Sequence, residues 1–489
     1  MTGMADERLG HSVARGVAWS FTEKVLTIII QMVVSIIVAR ELMPEAFGVM
    51  AILTFFTSVA LTVVDSGFSQ TLIRKADVSD EEYCSVLGFN VVMSLLLYVA
   101  LVSVVEPLAE YYAMPMIGEV AAVLFLVLPI NALCVVQTVM YTREFRFALL
   151  SKVVLAASVI SGGVAVVMAL AGYGIWALVM QRLLQMGIKA AAFWLLRRWN
   201  TTASFSFRAL LRMAPFSLRL LATDLIASIY NNVAQLFIGK MHSATTLGYY
   251  SQGQKLKDLP VTSTVQAVQG VTYPALAKLK EEPVQLVDAY LRIMRLLSFV
   301  LFPAMLGLIA IAPEMFAVLL GERWMPTVPY FEILALAGLL HPLTAVSYNI
   351  LKVCSNGRAI LYLEIAKRVI MTLMLIYTIP RGVEAIAWGM SAMAAVDFLI
   401  TTTTAHGYLH LPIGHLLRAV MPQLLLAAVM FGVLYFGMPL IHHLGVSEVL
   451  LVKIGVGVLI YLCGAFIFRL RAASESIELL KGLLHPKNE

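Results

Sequence analysis

Charge is scarce in this chain. Asp, Glu, Lys and Arg make up 13% of its 489 residues, roughly half their share in a soluble domain. Hydrophobic residues make up 60%, which excludes a soluble protein of ordinary composition. Cysteine is rarer still: Cys84, Cys134, Cys354 and Cys463 all fall in apolar stretches without motif spacing. They read as packing residues, not as disulfides or metal ligands. No G-x-x-x-x-G-K-[ST] stretch occurs, so ATP cannot be held in the P-loop manner. The N-terminus lacks a small-residue cleavage site, so its first apolar segment reads as an uncleaved insertion signal.

What is present is a succession of apolar blocks of about 20 to 25 residues, the length that crosses ~30 Å of hydrocarbon. Fourteen can be counted: 13–39, 45–72, 83–106, 116–140, 149–170, 173–196, 214–239, 246–276, 290–313, 328–352, 358–379, 382–405, 417–441 and 447–470. The blocks 13–39 and 246–276 are the most polar. Short loops use nearly all the remaining chain, so no appended catalytic domain fits. The expected fold is an all-α polytopic membrane protein of about 14 transmembrane helices.

Loop charge sets the expected orientation. One side carries Arg8, Arg15, Arg74, Lys75, Arg143, Arg146, Arg197, Arg198, Arg208, Arg212, Lys278, Lys280, Lys352, Arg358, Arg418, Arg469 and Arg471. The other has little beyond Arg40, Lys240, Arg323 and Arg381, with acidic Glu41, Glu45, Glu110, Glu314 and Glu322. Both termini are therefore expected in the cytoplasm. The formal net charge of +6 then reflects topology and an anionic inner leaflet, not a nucleic-acid partner.

The chain repeats itself. Arg40–Gly48 (RELMPEAFG) returns as Lys240–Gly248 (KMHSATTLG), a cation closing one apolar helix and a Gly opening the next. Ser66-Gly67 before Arg74-Lys75 parallels Gln269-Gly270 before Lys278, and GYGIWAL at 172–178 parallels GVEAIAW at 382–388. Six spans separate the copies, so both halves insert in the same sense about an axis along the membrane normal. The expected lobes are 1–205 (spans one to six) and 206–410 (spans seven to twelve). The remainder, 411–489, holds two further spans and a tail with Ile477, Leu480 and Leu484 at helical spacing. The linker Arg197–Met213 mixes Trp199, Phe205 and Phe207 with arginines and reads as an interfacial segment.

Four spans carry polar faces. Span one has Ser20, Lys24, Thr27, Gln31 and Ser35; span seven has Ser217, Asp224, Ser228, Asn231 and Gln235. Span eight has Lys255, Asp258, Thr262, Gln266, Gln269 and Tyr273, and span two has Thr54, Ser58, Thr62, Asp65 and Ser69. Steps of three and four put each set on one helix face. One Lys or Asp at mid-membrane costs about 2.5–3.5 kcal/mol, so these faces must meet each other or enclosed water. Helix glue is one reading. The other is a hydrated cavity between the lobes, cationic through Lys24, Arg219, Lys255 and Lys257 and moderated by Glu23, Asp65, Asp224 and Asp258. Such a cavity suits a bulky polar substrate bearing phosphate, with Gln31, Asn231 and Gln266 available to hydroxyls. A Lys24–Asp224 latch is an alternative use of that pair.

No nucleophile–base set is visible, so the chain is not read as an enzyme. Without ATP, energy would come from a proton or sodium gradient or from the substrate's own gradient, with Asp65, Asp224 and Asp258 as candidate coupling carboxylates. No cofactor or metal is expected. His406 and His410 are four apart with His415 nearby, but Pro412 and an interfacial position argue against a metal site, and His442-His443 reads as a solvated loop pair.

Three stretches carry a family resemblance: GVAWSFTEK (16–24), IVARELMPEAFGVM (37–50) and DSGFSQTLIRK (65–75). They resemble Wzx-type polysaccharide exporters, the colanic-acid exporter group above all, and GYGIWALV (172–179) is similar to that family's turn between spans five and six. These exporters belong to the superfamily of multidrug, oligosaccharidyl-lipid and polysaccharide flippases. The resemblance implies a two-lobed bundle in the bacterial inner membrane. It implies movement of undecaprenyl-diphosphate-linked oligosaccharide from the inner to the outer leaflet by alternating access, for exopolysaccharide or lipopolysaccharide synthesis. Lipid-linked oligosaccharide and membrane lipids are the implied partners, with a polysaccharide polymerase or export complex as a further candidate. The competing reading is an ion-coupled multidrug-type exporter of the same fold, which would have a more aromatic and acidic cavity. A twelve-span major-facilitator carrier, a membrane glycan polymerase and a non-transporting scaffold fit less well.

Overall fold

A computed structural model describes residues 26–196, 199, 204–355, 358–437 and 445–484. Among them the chain is all-helical. Helix α1 covers 26–41, followed by α2 (Pro44–Asp65), α3 (Phe68–Arg74), α4 (Asp80–Ser103) and α5 (Val105–Tyr112). Then come α6 (Met116–Phe125), α7 (Val127–Arg143), α8 (Phe147–Leu170), α9 (Trp176–Leu196), α10 (Phe207–Met241) and α11 (Ala244–Lys278). The rest are α12 (Pro283–Ala310), α13 (Ala312–Leu319), α14 (Val328–Gly338), α15 (His341–Cys354), α16 (Arg358–Thr378), α17 (Val383–Leu409), α18 (Ile413–Phe436), α19 (Val446–Ile467) and α20 (Arg471–Leu484).

Nine helical segments among the described residues are long and apolar enough to cross a membrane: α2, α4, α6 with α7, α8, α12, α14 with α15, α17, α18 and α19. The protein is a multi-pass membrane protein. Helices α9, α10, α11 and α16 stand where apolar blocks were expected, but Lys, Arg or Asp interrupts each of them.

Side-chain polarity is distributed as lipid demands. On α4, Ser85, Asn90 and Ser94 are buried, while Val92, Leu95, Leu96 and Val99 are exposed. On α8 the buried set is Ser151, Ala157, Ser158, Ser161, Gly162, Ala165 and Ala169, with Val153 the one larger member. Small residues let backbones approach where lipid tails are as apolar as leucine and no hydrophobic effect drives association.

The described residues divide into two compact units, up to Ser251 and from Gln252 onward. In the first unit α10 lies along α2 and α3. Ser217 and Thr71 hydroxyls are 2.7 Å apart, and Ser228 donates to Ser58 at 3.4 Å.

The expected continuous span 45–72 is broken. Ser66 and Gly67 both take left-handed backbone, with φ of 47° and 70°. A Cβ on Gly67 would also sit 2.6 Å from the Ser217 carbonyl oxygen, so the break is where α10 comes closest. Beyond it, Arg143 closes α3: its guanidinium donates to the carbonyls of Leu72 at 2.6 Å and Ala76 at 2.7 Å, and to that of Lys75. Lysine cannot reproduce that fork. Arg143→Lys is expected to lower unfolding stability by about 1.5–3 kcal/mol, the worth of one charged hydrogen bond. A thermal melt in detergent checks it, and an unchanged midpoint would contradict the assignment. Next in sequence, Ser79 accepts from the Glu82 N–H at 3.3 Å and Glu82 accepts from the Ser79 N–H at 3.2 Å, a capping box that starts α4.

The repeat noted in the sequence becomes a contact. A Cβ on Gly48 would overlap the carbonyl of Ala244 and lie 3.1 Å from the nitrogen of Gly248. Reciprocally, a Cβ on Gly248 would overlap the carbonyl of Pro44 and lie 3.3 Å from the nitrogen of Gly48. The two copies of the motif therefore cross at their own glycines, related by a local two-fold.

Candidate functional site

Charge is retained inside helices that lipid would prefer apolar. In the second unit α11, α15, α16 and α17 bring a set of it together. Lys367 on α16 is 8% exposed and lies 2.5 Å from Asp397 on α17, with Glu364 at 3.4 Å. Asp397 also accepts from the Thr401 hydroxyl at 2.9 Å, one turn on. Lys257, 7% exposed on α11, lies 2.5 Å from Asp258. His341, at the start of α15, is within electrostatic reach of Lys257, Asp258, Lys367 and Asp397. The Tyr348 ring lies 5.4 Å from the Lys367 ammonium and 5.0 Å from that of Lys352.

This set can hold an anion only by exchange. Each buried ammonium already has a carboxylate, so an incoming phosphate would compete with Asp397 or Asp258 for it. Such exchange gives a carrier a binding site that is neutral when empty, which a permanently unpaired buried cation would not.

The first unit holds two cavities that carry polar groups in largely apolar walls. One of about 240 Å³ is lined by Asp65, Ser69, Asn131, Thr138 and Lys189, among others. Asp65 ends α2 and accepts from both the backbone N–H and the hydroxyl of Ser69, so the break at Ser66–Gly67 fixes the carboxylate. The other, about 340 Å³, is lined by Thr71, Arg74, Lys75, Glu82, Arg212, Met213 and Phe216. There Lys75 pairs with Glu82, and the Arg74 guanidinium sits 4.5 Å over the Phe216 ring.

The residues expected from sequence are spread over these units. Lys24 and Glu23 lie outside the described residues, and so does the proposed Lys24–Asp224 latch. Gln31 is exposed on α1; Arg219, Asp224 and Asn231 are exposed on α10; Lys255 and Gln266 are exposed on α11. Asp224 is near enough to Asp65 for their charges to interact. Lys257 and Asp258 are adjacent in sequence and bind each other.

Two buried ion pairs were missed. Only spans one, two, seven and eight were read as polar, yet α16 carries the Lys367 site and α19 carries Lys453. Lys453 is 8% exposed, lies 2.6 Å from Glu314 and donates to the Ala310 carbonyl at 3.2 Å. By loop charge alone Glu314 counts only among the acids of the outer side. Glu364, Lys367 and Arg368, three charges within five residues of block 358–379, were the available signal. His406 turns out to be part of a buried network: its Nδ1 is 3.0 Å from the Leu411 carbonyl oxygen and its Nε2 is 3.4 Å from the Tyr290 hydroxyl. Tyr290 continues to Ser347 at 3.0 Å.

Comparison with known proteins follows the same lines. The chain is 25% identical over 417 residues to the teichuronic acid biosynthesis protein TuaB of Bacillus subtilis (strain 168), covering 83% of this chain and 85% of that one. It is 25% identical over 381 residues to the succinoglycan biosynthesis transport protein ExoT of Rhizobium meliloti (strain 1021), covering 77% of each. The inward closed structure of the lipid II flippase MurJ matches with a TM-score of 0.73 at 12% identity, over 93% of this chain and 98% of that one. That likeness establishes a shared fold. The family described as "Polysaccharide biosynthesis protein" matches residues 37–329, a stretch that holds the 37–50, 65–75 and 172–179 motifs. With well over half its length inside that match, the chain belongs to the polysaccharide biosynthesis protein family.

Proposed function

We propose that this protein carries undecaprenyl-diphosphate-linked oligosaccharide repeat units from the inner to the outer leaflet of a bacterial inner membrane by alternating access. Both termini lie in the cytoplasm, and the protein acts as a carrier rather than an enzyme. The observation that carries this reading is the retention of the Lys257–Asp258 and Lys367–Asp397 pairs in long helices of a polysaccharide biosynthesis family member.

The chemistry fits such a substrate. Its diphosphate requires cations, its sugars require hydrogen-bonding groups, and its polyprenyl tail can stay in lipid. Lys255, Lys257, Lys367 and Arg368 are candidate cations in the second unit, and Arg219 on α10 is one in the first. Gln31, Asn231 and Gln266 are exposed polar groups for sugar hydroxyls. Lipid does not solvate such groups, so their exposure within helices implies water or polar substrate beside them. A transport protein and a lipid II flippase among the similar proteins favour the same reading. Asp65, Asp224 and Asp258 remain the carboxylates through which a proton or sodium gradient would drive the cycle.

Deletion of the gene, followed by chromatography of labelled lipid-linked intermediates, tests the proposal. One complete repeat unit should accumulate on its undecaprenyl carrier, facing the cytoplasm, while polymer export stops. Normal export with an altered drug-resistance profile would contradict it and favour a multidrug-type exporter.

A further inference from the structure

A cavity larger than either of those in the first unit, about 540 Å³, opens in the second unit where α18 begins and α19 ends. Arginines from three helices and a connecting turn line it: Arg295 on α12, Arg418 on α18, Arg469 after α19, and Arg471 opening α20. Arg295 is neutralised by Glu475, which takes its Nη2 at 2.7 Å and its Nε at 3.4 Å. Arg418, Arg469 and Arg471 are exposed and make no ion pair among the described residues. Ordinary topology-setting arginines need only reach water from a loop; these converge on one space.

A second observation points to a ligand. Gln423 lines the same cavity, is 2% exposed, and its Oε1 has no hydrogen-bond partner. A buried amide left unpartnered costs roughly 1–3 kcal/mol, so the site is incomplete as it stands. It offers guanidiniums for a phosphate and, one turn deeper along α18, an acceptor for a hydroxyl. Arg469 holds a left-handed backbone, φ 48°, which turns the chain from α19 into α20 beside the cavity. Helix α20 then lies against α12, anchored by the Arg295–Glu475 pair.

We propose that this cavity binds the headgroup of an anionic phospholipid, its phosphate held by Arg418, Arg469 and Arg471 and a headgroup hydroxyl by Gln423. The site is separate from the Lys257 and Lys367 set assigned to substrate, and its position at helix ends matches the depth of lipid phosphates. A glycerol-bearing headgroup supplies both the anion and the hydroxyl; a choline headgroup supplies only a phosphate already paired with its own cation.

The test is the thermal melting of the purified full-length chain in detergent, with and without phosphatidylglycerol. The expected result is an upward shift of several degrees with phosphatidylglycerol and little with phosphatidylcholine. The Arg418→Gln/Arg469→Gln variant should lose most of that shift, and Arg418→Lys/Arg469→Lys should keep part of it. Native mass spectrometry of the folded variants, counting retained phosphatidylglycerol, gives a second readout should their melting be altered from the start. An equal shift with phosphatidylcholine, or undiminished phosphatidylglycerol binding in the Gln variant, would overturn the proposal. So would an equal shift with inorganic pyrophosphate alone, which would assign the cavity to a soluble anion.

Discussion

Lys367→Met is expected to destabilise the protein by about 3–5 kcal/mol, the cost of stripping one partner from a buried ion pair. Among the described residues the partly buried Asp397 would keep the Thr401 hydroxyl as its hydrogen-bond partner. Replacing both, as Lys367→Met/Asp397→Leu, removes the stranded charge and should recover most of the lost thermal stability, since apolar residues of similar volume are tolerated at such pairs. Function separates the possible roles. If Lys367 is a substrate cation, the recovered double variant still accumulates the lipid-linked repeat unit when it replaces the native gene. Normal polymer export by that variant would reduce the pair to a helix clamp. Asp397→Asn keeps shape and leaves Lys367 with Glu364, at 3.4 Å, as its remaining carboxylate. Its phenotype should be milder than that of Lys367→Met.

Gly48→Leu is expected to prevent accumulation of folded protein altogether. The atoms that a side chain there would meet are backbone, the Ala244 carbonyl and the Gly248 nitrogen, and neither can rotate away. Overpacking a core commonly costs about 1–3 kcal/mol when side chains can yield; here the helices would have to separate. Gly248→Leu should fail for the reciprocal reason, against Pro44. Gly118→Ala provides the contrast. A Cβ at Gly118 meets nothing within 4 Å, and alanine is favoured over glycine in a helix by about 1 kcal/mol, so that variant should express at least as well as the parent. Yields of monodisperse protein after size exclusion decide the matter. A well-folded Gly48→Leu would show that the close crossing of α2 and α11 is not required.

Those glycines were legible in the sequence because two conditions coincided. The motif 40–48 recurs at 240–248, and glycine keeps its place in both copies. What the sequence did not carry is that the copies touch each other. Apolar block lengths likewise placed helices at all the expected positions in described segments. They concealed the left-handed break at Ser66–Gly67, since a serine before a glycine marks a turn only when something makes the helix stop. Here that is the backbone of Ser217, some 150 residues away.

The candidate site was readable in part for similar reasons. Polar residues spaced three or four apart announce a face, and Asp65, Asp224 and Asp258 were found that way. Lys367 and Lys453 were not, because each is a single buried cation whose carboxylate sits on another helix. Asp397 is 30 residues from Lys367, and Glu314 is 139 from Lys453. Periodicity along one helix cannot report a partner across space. Arg143 shows the same limit: its bonds reach carbonyls about 70 residues back, so it read only as a loop charge.

The most direct measurement is flipping in proteoliposomes. Purified protein is reconstituted with undecaprenyl-diphosphate-linked oligosaccharide in both leaflets, and a membrane-impermeant glycosidase is added outside. Wild-type protein should render nearly the whole glycan pool cleavable as inner-leaflet molecules emerge, and the Lys367→Met/Asp397→Leu variant should leave the inner-leaflet fraction protected, as protein-free liposomes do. If the wild-type protein also leaves that fraction protected, with an ion gradient of either direction imposed, it does not move lipid-linked oligosaccharide.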